Sequence, residues 1–366
     1  MWTVRLRGIP EDMNDLSVII QGKVYSFNSF RDTHSSGSDG SSGYFNDVYT
    51  FDASSYRWDM LQTRSLHPDD EPIDISGRSV VAYGHCAYLW GGRHRSPAVR
   101  GLFRFDTQTM TWSRPSVTGA VPKADVYHSA CVFGNLMYTF GGLHASVGYV
   151  RFLDLDTFEW HCVLTSGVAP TARCCHTASV IGTRMYIWGG CDYDSQSDIG
   201  NDSDLYYLEM TTASWVRPDV QGNAPEGRKS HAAFVYDGEL YIFGGSRETP
   251  DAYFSDMHKY DPQTSCWAVV TPSGVGPSAR RSPGSTILGE RVFVFGGFGP
   301  PLYRMDEDHI EEDIDDLEEL TDFYVLHLAP TLQHLCLLVV IDARLDVKKL
   351  PKFNKKKLKM WTSSQS

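Results

Sequence analysis

The sequence predicts an all-β protein: a six-bladed β-propeller closed by its own N-terminal strand and followed by a short α-helical tail. Three observations carry that prediction. A short strand of alternating aromatic and aliphatic residues ending in two glycines recurs at 87–92, 136–142, 184–190, 239–245 and 291–297, with a worn copy lacking the glycines at 24–29. Trp2, Trp58, Trp112, Trp160, Trp215 and Trp267 keep the same beat, at spacings of 56, 54, 48, 55 and 52 residues. The two ends are complementary: Trp2 precedes the first complete repeat, and the last repeat has a strand at 322–328 with no phased tryptophan after it. Self-similarity at a period of about 50 residues marks a repeat architecture and outranks local secondary-structure signals.

Each element has a physical reason. β-Branched and aromatic residues suit strands packed on both faces. A glycine pair permits positive φ and the close approach of a neighbouring strand. One indole per blade fills the wedge between adjacent sheets. Residues 2–7 are expected to supply the missing outer strand of blade six, which pairs the two ends and leaves no open edge. Blade one is degenerate, with Asp12 and Asp15 before its inner strand and a Ser/Gly-rich loop at 31–43; residues 62–76 form a second irregular connection. Thr-Gly-Ala-Val-Pro (118–122), Ser-Gly-Val-Ala-Pro (166–170), Gln-Gly-Asn-Ala-Pro (221–225) and Ser-Gly-Val-Gly-Pro (273–277) read as turns leading into the next inner strand. The propeller occupies 1–329 and the tail 330–366.

Bulk properties narrow the function classes. Lys+Arg 33 against Asp+Glu 45 gives a net charge of −12, which disfavours binding to phosphate backbones by the body of the protein. Eight cysteines at scattered positions point to reduced thiols, cytoplasmic or nuclear, instead of a disulfide framework. The start has no apolar core of signal-peptide length. The longest clean apolar run, 335–341, is far too short to span a membrane. The acidic stretch 305–319 reads as a solvated insertion in blade six.

A Gly-Gly after the second strand and a tryptophan on the fourth resemble the kelch repeat family across the whole propeller. The resemblance places the residues after the Gly/Pro turns at the start of the innermost strand, near the mouth of the central channel. There the chain has Arg173, Arg228-Lys229 and Arg280-Arg281, followed by His128, His176, Ser230-His231 and Ser282. Guanidiniums converging on one mouth would hold an anion or a carboxylate. The alternative is that each residue ties one blade to the next, and regular recurrence favours that for the histidines. Arginine is missing from blades one and three, Asp125 standing in the latter. Arg93 and Arg95, after the blade-two glycines, are further candidates.

An enzymatic reading finds little. Cys174-Cys175-His176 with Cys191 suggests a metal site, but neighbours on a strand point to opposite faces and no C-x-x-C pair is present. Buried thiols and a blade histidine are the expectation. No nucleophile elbow, P-loop or dinucleotide fingerprint occurs, so neither catalysis nor a cofactor is expected.

The tail carries a second signal. Residues 331–340 have helical length, Pro330 and Thr331 suit a helix start, and Leu332, Cys336 and Val340 fall on one face. The pattern T-L-x-x-x-C-x-x-x-V resembles the elongin-binding box of cullin ubiquitin-ligase receptors. Leu350-Pro351 resembles the opening of a cullin 2 box, with Asn354 where that box carries an apolar residue. The combined resemblance implies a non-catalytic substrate receptor. It would bind elongin B/C and cullin 2 with a RING subunit through the tail, and glycine-end C-terminal degrons through Arg and Ser donors of the propeller. Such a receptor works in the cytoplasm or nucleus without a membrane. The chain departs from that family at Cys191-Asp192-Tyr193-Asp194, where relatives place arginines. The alternative is a chromatin-associated kelch scaffold without a ligase role, for which the lysine-rich segment 348–359 is the motive.

Overall fold

The computed structural model describes residues 1–7, 16–31, 44–72, 77–92, 101–122, 126–143, 149–192, 203–248, 251–300 and 318–342, with positions 350, 351 and 354 beyond. Six antiparallel sheets follow one another. Blade one runs Ser17–Ile20, Lys23–Arg31, Tyr44–Asp52 and Arg57–Met60; blade two Ser79–Tyr83, Cys86–Trp90, Leu102–Asp106 and Thr111–Ser113. Blade three runs Ser129–Phe133, Leu136–Phe140, Val150–Asp154 and Glu159–Val163; blade four Thr177–Ile181, Arg184–Trp188, Tyr206–Glu209 and Ser214–Val216. Blade five runs Ala232–Tyr236, Glu239–Phe243, Met257–Asp261 and Cys266–Val270. Blade six has Gly284–Leu288, Arg291–Phe295 and Asp322–His327, and takes its fourth strand, Trp2–Arg7, from the N-terminus. Each first strand lies against the first strands of both neighbours, and the circle closes where Ser17–Ile20 meets Gly284–Leu288.

Closure is thus made as the sequence predicts: Trp2–Arg7 pairs antiparallel with Asp322–His327. The turns before the inner strands are more than turns. Thr118–Gly119, Ser166–Gly167 and Gln221–Gly222 pair in parallel with the outer strands of blades three, four and five, setting Gly119, Gly167 and Gly222 opposite Trp160, Trp215 and Trp267. The short strand is pinned there because no Cβ separates it from the tryptophan's backbone: one added at Gly167 would sit 2.2 Å from the Trp215 carbonyl oxygen. Blade six repeats the arrangement across the closure. The Trp2 amide donates to the Ser273 carbonyl (2.8 Å), and a Cβ at Gly274 would lie 2.6 Å from the Trp2 oxygen.

The tryptophans fill the wedges. Trp112 belongs to the apolar cluster between blades one and two, Trp160 to that between two and three, and Trp215 to that between three and four. Trp267 fills the wedge between four and five, Trp2 that between five and six, and half-buried Trp58 packs on the cluster between six and one. Trp2 meets Phe243 of blade five and Tyr324 of blade six edge-on, both at 6.1 Å between ring centres. It therefore joins two sheets and not only its own.

After the last blade strand the chain forms the helix Leu332–Asp342, at the predicted place. Among the described residues no helix is long and apolar enough to cross a membrane. The Ser/Gly-rich loop, Asp12 and Asp15, and most of the acidic insertion lie outside the described residues.

Two chain-end variants test closure. Trp2→Ala should cost about 3–5 kcal/mol in denaturant unfolding, as for other buried indoles. Removing residues 1–7 should cost more, since it also bares the edge of Asp322–His327. A truncated chain unfolding at the same midpoint as the full chain would overturn the closure.

Candidate functional site

Blades meet at the double glycines. The Arg173 carbonyl enters beside Gly141 and accepts from the Gly142 amide at 2.9 Å; Arg228 does the same with Gly189 and Gly190 (2.9 Å), and Arg280 with Gly244 and Gly245 (2.8 Å). A Cβ on Gly141 would stand 2.4 Å from the Arg173 oxygen and 2.5 Å from the His176 ring. Arginine and histidine of one blade thus occupy the space that the glycines of the preceding blade vacate.

The histidines then extend the joint. Ser79 Oγ meets His128 Nε2 at 2.8 Å, Ser129 Oγ meets His176 Nε2 at 2.7 Å, and Thr177 Oγ1 meets His231 Nε2 at 2.8 Å. These bonds run from blade two to blade five, the first two buried and the third partly so. They bear out the reading of the histidines as ties between blades.

The arginines belong to the same joint, and here the expected carboxylate pocket needs correction. Arg173, Arg228 and Arg280 are at most 2% exposed. Their Nη1 atoms donate to the carbonyls of Gly189, Gly244 and Gly296 at 3.0–3.1 Å, and their Nε atoms to the carbonyls two residues before them. Arg228 also pairs with Asp256, and Arg280 with Asp322 at 2.7 and 3.2 Å. With Ser278 as a further acceptor, all five donors of Arg280 are used. The Arg280 guanidinium is spent inside the wall, and those of Arg173 and Arg228 are buried there in the same way.

The rim of the channel is formed one or two residues later. Tyr127, Cys175 and Ser230 immediately precede His128, His176 and His231, Ser282 precedes Pro283 at the equivalent place, and each has a left-handed backbone, with φ of 59°, 54°, 53° and 49°. Each amide donates to the equivalent carbonyl of the preceding blade. The bonds run from Tyr127 to Gly77 (2.8 Å), Cys175 to Tyr127 (3.0 Å), Ser230 to Cys175 (2.9 Å) and Ser282 to Ser230 (2.7 Å). This belt encircles one end of the channel from blade two to blade six. Left-handed non-glycine residues cost of order 1 kcal/mol or more each, and the belt bonds hold them.

Outside the belt, a second set of backbone pairs joins the entry of each inner strand to the segment after its own double glycine: Cys174 with Cys191, Lys229 with Ser246 and Arg281 with Phe298. Lys229, Ser230 and Arg281 are half-buried on this rim. Lys229 pairs with Glu248, and Arg247 beside it with Glu226 at 2.5 Å. Arg93 and Arg95 lie outside the described residues. Of the predicted binding residues, Lys229, Ser230 and Arg281 share the rim; Arg173, Arg228 and Arg280 lie in the wall behind it.

The cysteines are not gathered as a metal-ligand set. Cys175 has a left-handed backbone, and although its thiol interacts with those of Cys174 and Cys191, the three sulfurs do not come together at the spacing of a ligand set. The Cys174 and Cys191 sulfurs lie 3.6 Å apart. Hydrogen bonds from Cys174 and Cys175, with the nearby Lys229 charge, hold Cys191 well below the usual thiol range. Bonds to Cys175 and Cys191, with burial, push Cys174 well above it. A different set, His85, Cys86 and Asp106, brings ligand atoms within 4.8 Å of one another. There Asp106 already pairs with His85 (3.3 Å) and accepts the amides of Gln108 and Thr109, which makes it a hairpin lock.

In the tail, Leu332 (76%), Leu335 (41%) and Val339 (59%) are exposed, as is Cys336, while Val340 is half-buried and Leu337 is buried. Leu350 is half-buried and Pro351 exposed; the Asn354 side-chain oxygen accepts from Gln333 of the helix at 2.8 Å.

Residues 77–297 match the KLHDC2/KLHL20/DRC7 Kelch-repeats domain. The chain is 34% identical over 365 residues to Kelch domain-containing protein 3 of Rattus norvegicus and to that of Mus musculus, covering 96% of this chain and 93% of each relative. The Homo sapiens protein of the same name is 33% identical over 364 residues at the same coverage.

The joint makes stability depend on pH. Burial, then the Arg228 charge, lowers His231 to about 3; burial, then Arg173, holds His176 well below its usual value. The unfolded chain takes up these protons below about pH 6.5 and the folded chain does not, so acidification favours unfolding. Between pH 6.5 and about 3, stability should fall by up to about 1.4 kcal/mol per pH unit per histidine. Urea unfolding of His231→Gln should show a lower stability at pH 7 and a shallower decline on acidification. A slope equal to that of the parent would contradict the neutral, buried assignment.

Proposed function

The chain belongs to the kelch-repeat family, and from that premise we propose that it is a non-catalytic substrate receptor of a cullin 2–RING ubiquitin ligase. The propeller serves in protein interaction, its rim receiving the C-terminal tails of target proteins and its helix docking on elongin B/C. The carrying observation is the helix Leu332–Asp342. It follows a ring that is already closed, yet Leu332, Leu335, Cys336 and Val339 face solvent. A propeller needs no such element, and exposed apolar side chains of this density on one short helix suit a groove in a partner.

The rim supports the receiving role. Lys229 and Arg281 flank Ser230 and Ser282, so cations and small hydroxyl donors share one edge of the channel, a chemistry that suits a terminal carboxylate. Selectivity for glycine at the last position would follow from the approach of the peptide end to the belt backbone. Arg93 and Arg95 are the further candidates of this reading. Leu350-Pro351 would touch cullin 2, and degradation would take place in the cytoplasm or nucleus.

The test is a pull-down of elongin B/C and cullin 2 with the parent chain and with Leu332→Ser plus Cys336→Ser. Both partners should be retained by the parent and lost from the variant, whose propeller should still unfold at the parent midpoint. Failure of the parent to retain elongin would overturn the proposal. The rim is tested separately by fluorescence polarisation of a labelled peptide ending in Lys-Gly. Amidation of its terminus, or Arg281→Glu, should weaken binding at least tenfold; equal affinity for the acid and the amide would exclude carboxylate capture.

A further inference from the structure

We propose that Cys174 and Cys191 form a hydroperoxide-sensitive dithiol on the rim of blade four, which closes to a disulfide joining the entry of the inner strand to the segment after the double glycine. The backbone already holds the pair in place. Each residue's amide donates to the other's carbonyl, at 2.9 and 3.0 Å. Hydrogen-bonded partners in antiparallel pairing have Cα atoms about 5.5 Å apart, inside the range that disulfides span. The sulfurs stand at 3.6 Å, so closure to ~2.05 Å asks for side-chain rotation and no shift of backbone.

The fold does not demand thiols here. The equivalent pair is Lys229 with Ser246 in blade five and Arg281 with Phe298 in blade six. Two cysteines facing each other at the one position are thus a property of blade four and not of the repeat. Their surroundings also differ in a useful way. Cys191 is half-buried, so a small oxidant reaches it, whereas Cys174 is buried behind it. The hydrogen bond from Cys174, and after it the charge of Lys229 of the next blade, favour a thiolate at Cys191.

The chemistry balances with a hydroperoxide as oxidant. The Cys191 thiolate attacks the peroxide oxygen; the O–O bond breaks, an S–O bond forms, and hydroxide or alkoxide leaves and takes a proton from solvent. The Cys174 sulfur then attacks the Cys191 sulfur. The S–O bond breaks, and the Cys174 proton departs with the hydroxide as water. Two thiols lose two electrons and the peroxide gains them. Cys175, whose amide is held in the belt, stays outside the bond.

The proposal stands whether or not the propeller is a ligase receptor, because its readout is chemical. The full chain is treated with hydrogen peroxide, unfolded in N-ethylmaleimide and digested with trypsin without reductant. Cleavage after Arg173 puts Cys174 and Cys175 in one peptide, so fragmentation spectra must assign the link. The expected product is a Cys174–Cys191 cross-link, reversed by dithiothreitol, formed at least tenfold faster than exposed Cys162 and Cys336 are oxidised. With Cys191→Ser, Cys174 should remain fully alkylated. A Cys174–Cys175 link, or retention of both thiols at doses that oxidise Cys162 and Cys336, would overturn the proposal, as would undiminished loss of the Cys174 thiol in the variant.

Discussion

The ring depends on a contact that only glycine permits. At each described joint a backbone carbonyl from the next blade, that of Arg173, Arg228 or Arg280, enters the space where a Cβ would stand and takes the amide of the second glycine. The arginine side chain turns the other way and bonds the glycine carbonyl of its own blade. One residue therefore fastens two successive glycine pairs, by its carbonyl to the blade behind and by its guanidinium to its own. After Arg173 and Arg228 the histidine three positions on fills the remaining space and reaches a hydroxyl of the previous inner strand, as His128 also does. Motifs that look separate in the sequence, Gly-Gly, Arg and His, are parts of a single joint.

Much of this was legible because repetition averages out local ambiguity. The glycine pairs and phased tryptophans located all six blades, and the unmatched Trp2 disclosed which strand closes the ring. What could not be read was the destination of chemically versatile groups. A guanidinium serves a carboxylate ligand or a row of backbone carbonyls equally well, and sequence does not say which way it points. Arg280 and Arg281 are adjacent and identical in chemistry, yet one is buried in the wall and the other lies on the rim. The pairing of Cys174 with Cys191 was likewise not legible, because alternation along a strand assumes extended backbone and the belt imposes a left-handed residue at Cys175. No glycine marks the belt at Tyr127, Cys175, Ser230 or Ser282, so nothing in the composition announced it.

The joint also explains where variation is tolerated. Positions whose side chains or carbonyls enter the glycine space are tied to its geometry. The next residue is tied to the frame through its backbone, as Cys174, Lys229 and Arg281 are, and its side chain is free to differ from blade to blade. Blade four carries thiols there, blade five a lysine, blade six an arginine. A propeller of this construction presents a rigid frame with a rim whose chemistry changes blade by blade, which is the arrangement a selective binding surface needs.

Closure by the N-terminal strand has a consequence at the other end of the chain. Because Trp2–Arg7 completes blade six, the ring needs no further strand from the chain after Asp322–His327. The helix beginning at Leu332 follows that central strand after only a few residues, and its hydrogen-bond ladder opens with the Leu335 amide donating to the Thr331 carbonyl at 3.1 Å. Apolar side chains that would be a liability on a free terminus thereby follow closely, along the chain, the most buried strand of the last blade, every residue of which is buried. The same connection that spares the helix a structural duty joins it directly to the blade that carries Arg281 and Ser282 on the rim.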